Sequence, residues 1–224
     1  MADHPTDLRT YGRVKSRPLK PRQARLMEAL LPAVALPDGD IDPDAIAPWA
    51  RQTWLEAGFG AGEHLAAQAE RRPDVLFLGV EPFVNGVAAC LAQIEDRALR
   101  NVRLLQGDVR DLIARLPAGS LDRLYVLFPD PWPKARHRKR RLIQPGFLAQ
   151  AGRVMKPGAR LVFATDWADY ADWTLQRVAA SPSFRWTAER AGDWRAPPSD
   201  HVTTRYQAKR LGDCEPIWLT FERA

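Results

Sequence analysis

The sequence predicts an α/β fold built around a doubly wound, mostly parallel sheet, and two observations lead to this class. Short, almost continuously apolar runs such as Val75–Glu81 and Leu121–Phe128 alternate with longer helix-type segments. These runs lack the alternation of polar and apolar residues that a strand with one face in water would show. Strands buried on both faces need helices on both sides of the sheet, and the alternating pattern supplies them.

The predicted elements follow one another in a regular order after residue 51. Strands are predicted at Gln52–Ala57, Val75–Glu81, Val102–Gln106, Leu121–Phe128 and Arg160–Thr165. Helices are predicted after them, at Glu63–Arg71, Val84–Ala98, Val109–Leu116, Phe147–Met155 and Tyr170–Ala180. The order then changes, because Phe184–Glu189 and Ile217–Glu222 have the pattern of two strands joined by a long polar loop without a convincing helix. We therefore expect a parallel sheet that ends in an antiparallel hairpin.

The chain is expected to form one domain preceded by an arm. It has 224 residues, of which 46% are hydrophobic, which is enough for one sizeable core. Residues 1–25 are polar and basic without an apolar period, and we expect a flexible N-terminal arm that could order on binding. Residues 26–224 are expected to form the single domain, entered through the apolar stretch Leu26–Leu36 and an acidic connector.

The positive charge is concentrated in two segments. The chain has 33 Lys and Arg against 27 Asp and Glu, a net charge of +6. Residues 1–25 contain seven of these cations, and Lys134–Arg141 contain six more with no acid among them. Two basic clusters on a nearly neutral body predict a surface that binds a polyanion. The alternative is a solvated tail and a solvated loop.

Several classes of protein are disfavoured by composition. No apolar run approaches the roughly 20 residues that span a bilayer, and the charged N-terminus lacks the apolar segment of a secretory signal. The two cysteines, Cys90 and Cys214, are far apart, and no His/Cys cluster has metal-ligand spacing. We therefore expect no membrane segment, no disulfide scaffold and no metal, and a cytoplasmic location. The sequence does not decide whether the chain self-associates.

A glycine-rich turn follows the first predicted strand. Gly58, Gly60 and Gly62 occupy alternate positions between that strand and the next helix, which permits a tight turn and close approach of the backbone to a ligand. A dinucleotide site would normally have the spacing GxGxxG. Here the spacing is GxGxG, and Glu56 stands two residues before it. A carboxylate at this point suits a ligand with an ammonium group and a sulfonium.

Two further acids follow the next strands. Glu81 ends the second strand about 20 residues after the glycine turn, where an acid can bind the ribose hydroxyl pair, and Asp108 follows the third strand. The carboxyl ends of parallel strands meet at one edge of the sheet, so the three acids should lie together there. This arrangement suits S-adenosylmethionine, with Glu56 near the amino-acid part, Glu81 on the ribose and Asp108 near the adenine. It argues against NAD(P) and ATP.

The fourth strand runs into a stiff loop and the second basic cluster. Prolines on both sides of Asp130 fix the direction of its carboxylate. An acid followed by an aromatic residue, Asp130 and Trp132, can hydrogen-bond a base and stack on it. The adjoining arginines and lysines can bind phosphates.

The residues from Phe128 to Arg141, FPDPWPKARHRKRR, resemble the signature of the bacterial tRNA (guanine-N7)-methyltransferase family. The resemblance continues at Ala164–Asp166 and at Thr203–Lys209. It implies a Rossmann-like class I methyltransferase with a seven-stranded sheet and a C-terminal antiparallel strand. It also implies S-adenosylmethionine as cofactor, tRNA as partner, and methyl transfer to N7 of the variable-loop guanine.

The resemblance assigns roles residue by residue. Asp130 is the expected catalytic residue, and the expected cofactor-binding residues are Glu56, Gly58, Gly60, Gly62, Glu81, Asp108 and Asp130. The expected substrate-binding residues are Lys134, Arg136, His137, Arg138, Lys139, Arg140, Arg141, Asp166, Thr204, Arg205, Tyr206 and Gln207. One position departs from the family pattern, because Gln207 stands where a Glu is usual. An ionic role for that position is therefore in doubt.

Three other interpretations remain open from the residues alone. The chain could be a class I methyltransferase that acts on rRNA, on a protein or on a small molecule. It could be a non-catalytic RNA-binding protein on the same fold, although the glycine turn and all the strand-end acids are present. An NAD-dependent enzyme is disfavoured by the GxGxG spacing and by Glu56.

Overall fold

A computed structural model describes residues 17–224 and has a seven-stranded sheet at its centre. The strands are β1 (Gln52–Ala57), β2 (Val75–Val80), β3 (Val102–Leu105), β4 (Leu121–Leu127), β5 (Met155–Thr165), β6 (Phe184–Trp186) and β7 (Ile217–Arg223). Their order across the sheet is β3-β2-β1-β4-β5-β7-β6. Strands β1 to β5 are parallel, and β7 runs antiparallel to both of its neighbours. The predicted fold class is confirmed.

The helices connect successive strands. They are α1 (Pro21–Ala29), α2 (Leu31–Val34), α3 (Pro43–Ile46), α4 (Glu63–Arg71), α5 (Val84–Asp96), α6 (Val109–Arg115), α7 (Pro145–Val154), α8 (Ala168–Ala179), α9 (Gly192–Arg195) and α10 (Arg205–Ala208), with a 3-10 helix at Ala135–Arg140. The predicted extents of β1 and α4 match those observed. The other predicted helices begin and end within two residues of the observed bounds.

The C-terminal part differs from the prediction in three ways. Strand β5 begins at Met155 rather than Arg160. Met155 already pairs with Leu121 at the start of β4, and an irregularity in the register then separates this pair from the regular pairing that begins at Arg160. The connection between β6 and β7 contains the short helices α9 and α10, where no helix is expected. Single turns of four residues carry no apolar period, so only a cap such as Thr204 signals them. Strand β6 is also shorter than expected, because it ends at Trp186 rather than Glu189.

Helix α1 begins inside the segment predicted to be an arm. Pro21 stands in its first turn, where proline is tolerated, and Leu26 is buried. Arg22 and Arg25 both contact Glu95 of α5 at 2.7 Å. The boundary predicted at residue 25 therefore falls within a packed helix. Residues 1–16 of the predicted arm lie outside the described residues.

Two apolar layers hold the sheet and fix its edge. In β2, Leu76 and Leu78 face one layer while Phe77 faces the other, so the strand is apolar throughout. Each fully buried Leu or Phe side chain contributes about 1.5–3 kcal/mol. The carboxyl ends of β1 to β5 thus form a firm platform for the loops that follow them. Within residues 17–224, no helix has both the length and the apolar character needed to cross a membrane.

Candidate active site

A cleft opens at the carboxyl ends of β1, β2 and β4. A cavity of about 310 Å³ is lined by residues that include Gly58, Glu81, Asp108, Asp130 and Trp132. A neighbouring cavity of about 180 Å³ shares Gly58 and Phe128 with the first, and its other lining residues include Glu56, Gly60, Thr204, Arg205 and Tyr206. We call these the larger and the smaller cavity. Together they bring the strand-end acids, the glycine turn and the Asp130 loop to one place.

The three glycines of the turn have two different structural roles. Gly58, Gly60 and Gly62 all have positive φ angles, +73°, +56° and +77°. A side chain at Gly58 or Gly60 would meet no atom within 4 Å, so these two positions keep backbone open toward the cleft. At Gly62 a Cβ atom would lie 2.5 Å from Sγ of Cys90 on α5. Gly62 therefore permits the close packing of α4 on α5 rather than ligand access.

Glu81 holds the glycine turn as well as lining the larger cavity. Its Oε2 accepts a hydrogen bond from the Gly60 amide at 2.8 Å, and its Oε1 accepts one from the Phe83 amide at 2.9 Å. Burial raises the pKa of the Glu81 carboxyl, and the two amide donors oppose that rise. Glu81 therefore has a structural role in this turn, and its contact with a ribose stays a prediction.

The other two strand-end acids already have partners. Glu56 is buried, and its Oε2 lies 2.7 Å from Nδ1 of His64. Asp108 caps α6 by accepting a hydrogen bond from the Arg110 amide at 2.9 Å, and its carboxylate also pairs with the Arg110 guanidinium. Arg110 also lines the larger cavity, and no motif in the sequence predicted this position.

The Asp130 loop has unusual backbone geometry. Phe128 and Trp132 have φ angles of +50° and +44°, and each precedes a proline. Non-glycine residues with positive φ are strained by about 1–2 kcal/mol each. The strain turns the chain sharply on both sides of Asp130 and directs this short loop over the larger cavity.

Asp130 lines the larger cavity as a hydrogen-bond acceptor. None of residues 17–224 donates a hydrogen bond to its carboxylate. Desolvation by the surrounding loop raises the pKa of Asp130, although its surface remains partly open to solvent. A carboxylate placed in this way can accept two hydrogen bonds from a flat partner.

Trp132 lines the larger cavity and is braced by the basic cluster. The Arg140 guanidinium lies 5.0 Å from the centre of its ring, and the His137 ring meets it edge-on at 5.9 Å. The pKa of His137 is lowered by desolvation first and by the neighbouring cations second. The indole face is thus held by a cation–π contact beside Asp130.

The basic cluster around the 3-10 helix is mostly open to solvent. Lys134, Arg136 and Lys139 are exposed, while Arg138 is half-buried and pairs with Asp169 at 2.8 Å. Exposed cations side by side on one short helix form a surface that suits phosphate groups.

Arg141 differs from the other members of that cluster. Its side chain is 1% exposed, its Nε donates to the Pro131 carbonyl at 2.8 Å, and its guanidinium pairs with Asp169. It also lies 4.8 Å from the Tyr170 ring centre. The prediction that Arg141 contacts the substrate does not fit this environment, because a buried, fully engaged guanidinium cannot reach a phosphate. Arg141 instead anchors the Asp130 loop to α8.

The Thr204–Gln207 segment covers the smaller cavity. Thr204 caps α10 by accepting from the Gln207 amide at 3.3 Å, and Arg205 pairs with Glu63. Tyr206 packs against Phe128 with ring centres 5.7 Å apart. The Gln207 Oε1 lies 2.8 Å from Nε2 of His201. The structure therefore brings Thr204, Arg205 and Tyr206 opposite Glu56.

Asp166 lies in an adjacent cavity of about 270 Å³, which Gln207 and Arg210 also line. Its Oδ2 accepts a hydrogen bond from the Gly212 amide at 3.0 Å, and its carbonyl accepts one from the Cys214 amide at 3.1 Å. Asp166 thus holds the chain that leads into β7. Among residues 17–224, no group of His, Cys, Asp and Glu could hold a metal ion.

Sequence reasoning missed the partners behind the smaller cavity. His64 and Gln68 are buried on α4, and Asp200 and His201 come from the β6–β7 connection. The separation of 132 residues between Gln68 and Asp200 left no local signal. The polar pair at positions 64 and 68, one helical turn apart on a buried face, was the available clue.

The fold and the cleft define a Rossmann-like class I methyltransferase. Residues 50–219 match the model of a family described as "Putative methyltransferase". A tRNA (guanine-N(7)-)-methyltransferase of Caulobacter sp. (strain K31) is 57% identical to this chain, with coverage of 96% of this chain and 95% of the relative. The enzyme of that name from Hyphomonas neptunium is 51% identical over 96% of this chain and 99% of its own. The chain belongs to the tRNA (guanine-N(7)-)-methyltransferase family.

Solved structures support the fold. The 16S rRNA (adenine(1408)-N(1))-methyltransferase from Catenulisporales acidiphilia superposes with a TM-score of 0.56 at 21% identity, over 85% of this chain and 97% of that one. The 16S rRNA methyltransferase KamB gives a TM-score of 0.54 at 19% identity, over 81% and 92% of the two chains. At such identities the likeness concerns the fold alone.

Proposed function

We propose that this protein transfers a methyl group from S-adenosylmethionine to N7 of the variable-loop guanine in tRNA. The observation that carries the proposal is Asp130, whose carboxylate has no hydrogen-bond donor among residues 17–224 and faces the larger cavity between a glycine turn and an exposed basic surface. Relatives more than 50% identical over nearly the whole chain carry the corresponding name.

The residues of the cleft fit the methyl donor. The open backbone at Gly58 and Gly60 leaves room for close approach of a ligand. The Glu56 carboxylate in the smaller cavity suits an ammonium group, and Glu81 in the larger cavity suits a pair of ribose hydroxyls. Asp108 and Arg110 also line the larger cavity, and we assign the adenine to them.

S-adenosylmethionine, when bound, supplies a methyl group on a sulfonium that a lone pair can displace in line. Guanine N7 has such a lone pair and carries no proton, so no general base is needed. The residues of the chain have to hold the base in the correct orientation and exclude water. Asp130 is positioned to accept hydrogen bonds from guanine N1–H and N2–H. A carboxylate fits these two donors and rejects the corresponding edge of adenine.

The surface around the cleft supports a folded RNA as substrate. Lys134, Arg136 and Lys139 can neutralise phosphates beside the base-binding loop, and Arg205 with Tyr206 closes the cleft on the other side. The guanine has to leave its stack to reach the cleft, which costs a few kcal/mol. Stacking of the guanine on the Trp132 ring can offset part of this free energy. A substrate of this class places the reaction in the cytoplasm.

The test is methyl transfer from labelled S-adenosylmethionine to unmodified bulk tRNA, followed by aniline cleavage at N7-methylguanosine. Cleavage at one variable-loop guanine is the expected result. Labelling without cleavage there would reject the proposed target atom. Absence of labelling despite cofactor binding would reject tRNA as the substrate of the chain alone.

A further inference from the structure

A line of buried hydrogen bonds runs from Arg72 to Glu56 behind the smaller cavity. The Arg72 guanidinium donates to Oε1 of Gln68 at 2.9 Å. Nε2 of Gln68 lies 3.3 Å from Nε2 of His64, and Nδ1 of His64 lies 2.7 Å from Oε2 of Glu56. Gln68, His64 and Glu56 are 0%, 2% and 4% exposed, so water does not compete for the two bonds that join these three side chains.

The orientation of the Gln68 amide is determined by its two outer partners. A guanidinium can only donate hydrogen bonds, so the amide oxygen has to face Arg72. A backbone carbonyl can only accept, and the Asp200 carbonyl lies 2.6 Å from the amide nitrogen. Both contacts require the same orientation, so the amide NH₂ group points to His64 as well as to Asp200.

This orientation determines which His64 nitrogen carries the proton. An NH₂ group cannot accept, so Nε2 of His64 has to accept from Gln68 and is unprotonated. The single ring proton then sits on Nδ1 and is donated to the carboxylate of Glu56. We infer that Gln68 is a positioning residue that holds His64 as the neutral Nδ1–H tautomer and so leaves the full negative charge on Glu56.

The surroundings of His64 agree with a neutral ring. Tyr125 meets it edge-on at 4.8 Å, and His201 stacks on it at 5.5 Å. Burial raises the pKa of Tyr125 to about 12, and burial lowers the pKa of His201, so both neighbours are uncharged near neutral pH. An imidazolium here would direct an N–H at the NH₂ group of Gln68 and would cancel the charge of Glu56.

This inference rests on the proposed function in one respect, since it assigns the charge of Glu56 to the ammonium group of S-adenosylmethionine. None of residues 17–224 donates a hydrogen bond to Oε1 of Glu56, which lines the smaller cavity. The second hydrogen of the Gln68 amide goes to the carbonyl of Asp200, four residues before the Thr204–Gln207 segment that covers this cavity. One amide group therefore sets both the charge of the cofactor acid and the placement of the covering segment.

The tautomer can be measured directly in the wild-type protein. Long-range ¹H–¹⁵N correlation spectra of the ¹⁵N-labelled chain distinguish the two neutral tautomers from the imidazolium. We expect the Nδ1–H pattern for His64, identified by its loss in His64→Asn. An Nε2–H pattern or an imidazolium pattern at pH 7 would overturn the inference, whatever the substrate of the enzyme.

A pair of variants and a pair of ligands test the consequence. Gln68→Glu offers His64 only acceptors and should convert it into an imidazolium, while Gln68→Met removes the bond without adding an acceptor. Calorimetry should show at least tenfold weaker binding of S-adenosylmethionine to Gln68→Glu, and a smaller loss in Gln68→Met. Binding of 5′-methylthioadenosine, which lacks the amino-acid part, should change less than twofold.

Two results would contradict this. An equal loss for both ligands in Gln68→Glu would mean general damage to the cleft, and unchanged binding of S-adenosylmethionine would mean that the charge is not set by Gln68. If wild-type protein bound neither ligand, the proposed function would fail while the tautomer measurement still decided the inference.

Discussion

At the scale of single residues, burial acts differently on the two acids that face the larger cavity. Desolvation raises the pKa of both Glu81 and Asp130. Glu81 recovers part of the cost through two backbone amides, which also fix the glycine turn. Asp130 has no such donors among the described residues and remains an available acceptor. The first acid is a structural member of the cleft, and the second is suited to a ligand.

Asp130→Asn should lower the rate of methyl transfer to tRNA by about 100-fold. Two hydrogen bonds to a charged acceptor, worth about 1.5–3 kcal/mol each, are replaced by one bond and one mismatch. Affinity for S-adenosylmethionine, measured by calorimetry, should stay within threefold. Asp172→Asn, an exposed Asp on α8, is the matched control and should leave both quantities unchanged. A large loss of cofactor affinity in Asp130→Asn would reassign Asp130 to the cofactor.

The rate of methyl transfer should fall in acid as Asp130 becomes protonated. Since desolvation raises the pKa of this carboxyl, the fall should begin at a higher pH than for an ordinary Asp, whose pKa is about 3.9. The protonated acid is the inactive form, so the rate is retained above the raised pKa and lost below it. The pH profile of single-turnover methylation measures this limb. The residual activity of Asp130→Asn should not show this fall in rate at low pH. An identical fall in that variant would disprove the assignment of the pH dependence to Asp130.

Gln207→Glu should raise the pKa of His201. Burial lowers the pKa of this ring in the native chain, and the neutral Gln207 oxygen at 2.8 Å only partly opposes the shift. A carboxylate at the same place would favour the imidazolium. Titration of the His201 ring by NMR gives the answer, with Gln150→Glu, the same charge change at an exposed position on α7, as the control. An unaltered titration would show that His201 and position 207 are not in contact in solution.

At the scale of elements, two turns make the cleft possible. The glycine turn depends on positive φ angles and on packing against α5, and the Asp130 loop depends on strain at Phe128 and Trp132. Arg141 holds the second turn from behind through the Pro131 carbonyl. The two turns face each other across the larger cavity, so a change that frees either one widens the cleft.

Gly62→Ala should destabilise the protein more than Gly158→Ala. The two glycines have nearly equal φ angles, +77° and +78°, so the conformational cost of an alanine is about 1–2 kcal/mol at each position. A Cβ at Gly62 would also collide with Cys90, whereas one at Gly158 meets nothing within 4 Å. Urea unfolding should show a further loss of about 1–3 kcal/mol for Gly62→Ala. Equal losses would mean that α4 and α5 can move apart freely.

Members of the basic cluster should separate into two kinds when replaced. Arg136→Ala should weaken tRNA binding and reduce the slope of log affinity against log salt by about 1, because an exposed phosphate contact is lost. Arg141→Met should instead lower the free energy of unfolding by about 1–3 kcal/mol, because the Pro131 carbonyl loses its donor and the half-exposed Asp169 loses one of its two arginine partners. Filter binding at several salt concentrations and urea unfolding measure the two effects. A salt slope that changed in Arg141→Met alone would reverse this assignment.

At the scale of the whole molecule, the sequence predicted the layered fold because the signal for buried strands is local. Runs such as Val75–Val80 are apolar on both faces, and glycines mark the turn after β1. The same reasoning could not separate Arg141 from Arg136, because its burial depends on Asp169 and Tyr170, which are 28 and 29 residues further along. It also missed Gln68, whose partner Asp200 is distant in sequence. The residue types predicted the chemistry of the cleft, and tertiary contacts determine which of these side chains are accessible to a ligand.

The position of β7 between β5 and β6 bears on the order in which the parts of the cleft form during synthesis. Strand β6 has β7 as its only neighbour in the sheet, and the segment that covers the smaller cavity lies between these two strands in the sequence. On the ribosome, the strand ends with Gly58, Glu81 and Asp108 emerge early, and domains assemble as the chain emerges. The covering segment gains its second anchor only when β7 has emerged and inserted. A nascent chain can therefore form the edge of the sheet that carries the strand-end acids first, while the complete cleft forms only with the last strand.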